Sequence, residues 1–99
     1  MKKFESVHKL LIEHKEELMK KYSLKEIGIF GSYVRGEQED VSDLDILIEF
    51  DENARISLLD FVGLENDLSD LLKVKVDLVE KSALKPRIGK RILEEVVFL

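Results

Sequence analysis

GSYVRGEQEDVSDLDILIEF, running from Gly31 to Phe50, is the stretch on which the reading of this chain turns. Gly31-Ser32 closes an apolar run, and after ten intervening residues Asp43-Leu44-Asp45 opens a second one. From Leu44 to Phe50 the pattern alternates. Leu44, Ile46, Ile48 and Phe50 take one face of a strand, and Asp43, Asp45, Leu47 and Glu49 take the other. The shorter run Ile27–Phe30 reads as a strand that ends in the glycine turn.

Outward from this stretch the periodicity becomes helical. Phe4, Val7, Leu10, Leu11 and Leu18 recur among Lys and Glu, which predicts a helix from Phe4 to about Tyr22. Leu58, Leu59, Val62, Leu68 and Leu72 predict another over Ile56–Leu72, with Gly63 as a weak point. Val74–Val79 is rich in β-branched residues and reads as a strand. Pro86 suits the first turn of a last helix, with Ile88, Ile92, Leu93, Val96 and Val97 on its apolar side. The predicted class is α/β, a small mixed sheet of three to four strands covered by helices.

Composition narrows the function. Ninety-nine residues with no repeat or linker predict one domain over residues 1–99. A formal charge of −5 disfavours a broad nucleic-acid-binding face, so no direct nucleic-acid partner is expected. The absence of cysteine excludes disulfides and thiolate metal sites. The first residues are too charged for a signal peptide and no apolar run is long enough for a membrane span, so the cytoplasm is the expected compartment.

Asp43 and Asp45 are the first candidates for chemistry. Two residues apart on a strand, they share a face with Cα atoms roughly 6.6 Å apart. At that separation their carboxylates repel by about 2.5 kcal/mol at an effective dielectric near 20. A divalent cation relieves that repulsion, and magnesium favours such sites: few carboxylates, retained waters and substrate phosphates. The alternative is an acidic loop entering a strand, with Ser42-Asp43 as turn chemistry.

Asp77 interrupts an apolar strand, where an acid needs a reason. If that strand pairs beside Leu44–Phe50, Asp77 converges on Asp43 and Asp45. Three acids around one or two metal ions would hold a triphosphate, and the third could accept the proton of an attacking hydroxyl. Otherwise Asp77 is an edge-strand acid or an ion-pair partner.

Gly31 lets backbone approach a ligand closely, and Ser32 offers a hydroxyl to a phosphate oxygen. Gly-Ser alone is a common turn, and no Walker P-loop is present. Arg35 can reach a phosphate bidentately, or pair instead with Glu37, Glu39 or Asp40. His8 and His14, six apart on the first helix, are wrongly spaced for a shared metal.

Taken jointly, Gly-Ser, ten residues, Asp-x-Asp and a later strand Asp resemble the nucleotidyltransferases of the DNA polymerase β-like superfamily. In length and element order the chain is similar to the minimal nucleotidyltransferases, the MNT antitoxins paired with HEPN toxins. The resemblance implies the nucleotidyltransferase fold, with Gly31 and Ser32 holding nucleotide phosphates. It implies Asp43 and Asp45 as catalytic metal ligands, Asp77 as third acid or base, and Arg35 within the Gly-Ser-x-x-Arg-Gly form. The implied reaction is Mg²⁺-dependent transfer of AMP from ATP to a tyrosine of a HEPN toxin, which would silence it.

The short chain leaves little surface to enclose a separate acceptor once nucleotide and metal are held, so the acceptor is expected on another protein. Two alternatives stay open: an antitoxin that neutralises its partner by contact alone, and a transferase acting on a small hydroxylated molecule.

Overall fold

A computed structural model describes residues 3–39 and 42–99. The element order is α1 (Phe4–Tyr22), β1 (Leu24–Phe30), α2 (Ser32–Arg35), β2 (Leu44–Phe50), α3 (Leu58–Leu72) and β3 (Val76–Glu80). A 3₁₀ turn (Lys81–Ala83), α4 (Pro86–Glu95) and β4 (Val97–Phe98) follow. The four strands form one mixed sheet in the order β3-β2-β1-β4. β1 runs antiparallel to both β2 and β4, and β2 runs parallel to β3. The expected class holds.

α1 exists because Val7, Leu11 and Leu18 place one apolar stripe on the sheet, and all three are buried. It stops at Ser23, which turns left-handed and returns its N–H to the Met19 carbonyl. α3 starts with a reciprocal capping box, in which the Ser57 hydroxyl accepts from Asp60 N–H and Asp60 accepts from Ser57 N–H. Its buried stripe is Leu64, Leu68 and Leu72. Leu58 and Leu59, which helped mark this helix in the sequence, face solvent instead. Five or more apolar positions define a wide arc, and only the part that meets the sheet is covered. Ser57→Ala removes the hydroxyl acceptor and is expected to lower stability by about 1 kcal/mol, read as a drop in Tm.

α1 and α3 pack on one face, where Ile27, Ile29, Leu44, Ile46, Ile48 and Leu78 complete the core. The opposite face carries the acids of β2 together with buried Leu47, outside that core cluster. Several boundaries differ from the sequence reading: α3 begins at Leu58 rather than Ile56, and β3 spans Val76–Glu80 rather than Val74–Val79. β1 begins at Leu24 rather than Ile27, and Val97-Phe98 leave the expected last helix to pair with Gly28 and Ile29. Val96 and Val97 suit an extended backbone as β-branched residues, and pairing with β1 outweighs a further helical turn. Among the described residues, no helix is long and apolar enough to cross a membrane.

Candidate active site

The strand register decides where the acids meet. Asp45, the second residue of β2, stands opposite Phe30 at the end of β1 and opposite Asp77 in β3. Register partners on neighbouring strands point to the same face at a spacing of about 4.8 Å. Asp77 therefore shares the face of Asp45, the pairing on which its convergence in the sequence reading was conditional. Asp43 lies one step before β2, and the Leu44 N–H to Lys75 carbonyl bond of 2.9 Å clamps the starts of the two parallel strands together.

Gly31 ends β1 directly against Asp45. Its backbone has φ 81° and ψ −153°, a region that residues with a side chain avoid. A Cβ built there would lie 2.0 Å from Asp45 Oδ2. Glycine is thus demanded twice at this position, by conformation and by the carboxylate. Ser32 opens the single turn of α2, and Tyr33 behind it is buried in the core.

The electrostatics follow from this crowding. Burial, then the charges of Asp77 and Asp43, push the Asp45 carboxyl up to about 6. Among the described residues, one weak cationic contact relieves the other acids, Lys75 Nζ at 3.9 Å from Asp43 on an exposed side chain. Among the described residues, no three His, Cys, Asp or Glu side chains already stand close enough to share one ion. Carboxylates without a counterion spread apart by repulsion. What remains is a pair of register-matched acids with a third beside them, a donor set suited to a hard cation that keeps waters and takes its other ligands from phosphate.

Arg35 is engaged. Its Nε donates to Glu37 at 2.8 Å and its Nη1 to Glu95 Oε1. Hydrogen bonds to Glu37, then to Glu95, raise its pKa. The other Glu95 oxygen accepts from Gly31 N–H at 2.9 Å. Of the partners read from sequence, Glu37 is realised, and Asp40 lies outside the described residues. Glu95 was missed. Its one sequence signal is that Glu94-Glu95 end a helix, where the macrodipole disfavours negative charge.

Phe30, Gly31, Arg35 and Asp45 line a cavity of about 300 Å³ with Ile88, Arg91, Ile92 and Glu95 of α4. A larger depression of about 600 Å³ lies among Ile12, Met19, Leu24 and Asp51, at the opposite end of β1 and β2 from the acids.

With that geometry in hand, comparison with known proteins is specific. The profile of the nucleotidyltransferase domain family matches residues 11–99. The chain belongs to this family. It is a nucleotidyltransferase, with its acids on adjoining strands beside the glycine turn. It is 50% identical over 95 residues to the protein adenylyltransferase MntA of Thermococcus cleftensis, covering 96% of this chain and 94% of that relative. A solved structure described as a minimal nucleotidyltransferase matches with a TM-score of 0.76 and 34% identity, covering 94% of this chain and 95% of the other. The MNT antitoxin complexed with a tri-AMPylated HEPN toxin of Shewanella oneidensis matches with a TM-score of 0.65 over 91% of this chain and 69% of the other. At 20% identity, that last likeness shows the fold alone.

Proposed function

We propose that the chain transfers AMP from ATP to a hydroxyl of a partner protein, acting as the antitoxin of a HEPN–MNT pair. The observation that carries this reading is the in-register pairing of Asp45 with Asp77 beside the Gly31 turn. The name of the Thermococcus relative, a protein adenylyltransferase, supports a protein acceptor. The Shewanella complex supports the toxin class, since that MNT antitoxin is bound to an AMPylated HEPN protein. A tyrosine hydroxyl is the proposed acceptor.

Asp43, Asp45 and Asp77 are the residues that would hold magnesium, as one or two ions. When bound, the metal supplies charge neutralisation at the triphosphate and at the attacking and leaving oxygens. Ser32 and the turn at Gly31 are proposed to seat phosphate oxygens, and Arg35 to meet them with the N–H groups its carboxylate partners leave unused. The acceptor oxygen attacks the α-phosphorus in line. A new O–P bond forms, the bond to pyrophosphate breaks, and the hydroxyl proton passes to the Asp77 carboxylate.

The test is transfer of label from α-labelled ATP, with magnesium, to a HEPN protein co-expressed from the neighbouring reading frame. Label on a partner tyrosine is expected, and chelating the magnesium or introducing Asp43→Asn should stop it. Rescue from toxicity by Asp43→Asn, without any labelling, would instead mean neutralisation by contact. Label appearing only on small hydroxylated acceptors would replace the protein substrate.

A further inference from the structure

Glu95 lies outside the Gly31–Asp45 motif, yet it touches both ends of the phosphate turn. We infer that Glu95 is a positioning residue, holding the Gly31 peptide and the Arg35 guanidinium in one fixed relation for a triphosphate. This rests on the proposed reading of the site and adds a residue from the far end of the chain.

Three observations carry it. The two carboxylate oxygens divide their work, Oε2 taking Gly31 N–H at 2.9 Å and Oε1 taking Arg35 Nη1. Gly31 N–H has to find a partner in its unusual conformation just past the end of β1, and among the described residues the Glu95 carboxylate supplies it. The carboxylate is also delivered by anchored backbone. Val97 and Phe98, just beyond Glu95, pair with Ile29 and Gly28, two and three residues before the turn. The Glu95 side chain, 24% exposed, is therefore fixed at both ends rather than swinging in solvent.

Arg35 gains orientation without being used up. A guanidinium has five N–H bonds in a rigid plane. One goes to Glu37 and one to Glu95, which leaves three for phosphate oxygens. Fixing the plane beforehand means less freedom is lost when nucleotide arrives. The opposite role would be a carboxylate that occupies the anion seat and must be expelled. That role predicts tighter nucleotide binding once the charge is removed, so the two differ in sign.

Glu95→Gln, Arg35→Ala and the double variant should be compared with the wild type for ATP binding and for KM and kcat of transfer. Glu95→Gln is expected to weaken ATP about tenfold, the loss of one charge-assisted hydrogen bond, through KM and with kcat nearly unchanged. The double variant should lose less than the product of the two single losses, because part of what Glu95 does passes through Arg35 and the rest through Gly31. Unchanged or tighter ATP binding by Glu95→Gln would overturn the inference, as would losses that multiply in the double variant. Should Glu95→Gln unfold, Glu95→Asp keeps the charge but shortens the reach; its KM should rise, and an unchanged KM also overturns the inference. A wild type that binds no ATP would instead remove the reading of the site itself.

Discussion

Asp45→Asn is expected to abolish nucleotidyl transfer and, at the same time, to stabilise the metal-free protein. Loss of activity should be at least about a thousandfold, from several kcal/mol of charge stabilisation at the reacting phosphate. The stability gain arises because the native fold makes this carboxylate hard to ionise. Burial and the neighbouring Asp77 and Asp43 hold its pKa at about 6 against an ordinary value of 3.8. That difference corresponds to about 3 kcal/mol before screening, and the partial exposure of the group reduces it to roughly 1–2 kcal/mol. A neutral amide of the same shape removes the penalty. Thermal unfolding at neutral pH in chelator should show Asp45→Asn melting above the wild type.

The pH dependence has a definite sign. Between the unfolded value near 3.8 and the folded value of about 6, the native state holds more protons on Asp45 than the unfolded state does. Stability of the wild type therefore falls as pH rises through that window, as far as this group is concerned. The gap between wild type and Asp45→Asn should be constant above the window and close below it. Magnesium favours the ionised carboxylate, so saturating metal should narrow the gap at neutral pH. A wild type as stable as Asp45→Asn at neutral pH in chelator would show that the acids are not in electrostatic conflict.

This conflict is also what made the candidate site legible in the sequence. A carboxylate is expensive on a strand face, so Asp43, Asp45 and Asp77 announced themselves as exceptions to the apolar pattern. α1 was readable for the opposite reason, since Val7, Leu11 and Leu18 recur on one helical face, with His14 and Lys15 the polar positions between them. Strand order is different. No local pattern states that β3 lies beside β2 in a register that sets Asp77 against Asp45, because that pairing depends on where α3 crosses the sheet. β4 escaped because Ile92, Leu93, Val96 and Val97 continue the helical period, and the partners that decide the matter, Gly28 and Ile29, are remote in sequence. Glu95 escaped for the same reason. Its bonds reach back 64 and 60 residues, to Gly31 and to Arg35.

Gly31→Ala is expected to cost both stability and activity, more than any other single methyl added near the site. The added Cβ would stand 2.0 Å from Asp45 Oδ2 and 2.9 Å from Asp45 Cγ. Neither side has an easy retreat, because Asp45 sits in strand register and the Gly31 backbone lies at φ 81°. Backbone strain contributes about 1–3 kcal/mol and the overlap a similar amount, for a total of roughly 2–6 kcal/mol. The carboxylate would be driven from its place beside Asp77, so transfer should fall even where the variant stays folded. Gly36→Ala provides the comparison, since Gly36 also has positive φ, at 72°, but a Cβ there meets nothing within 4 Å. Its cost should be confined to about 1 kcal/mol of left-handed backbone strain, with transfer nearly unchanged. Equal losses of transfer in the two variants would mean that general loosening of the turn, rather than displacement of Asp45, disables the enzyme.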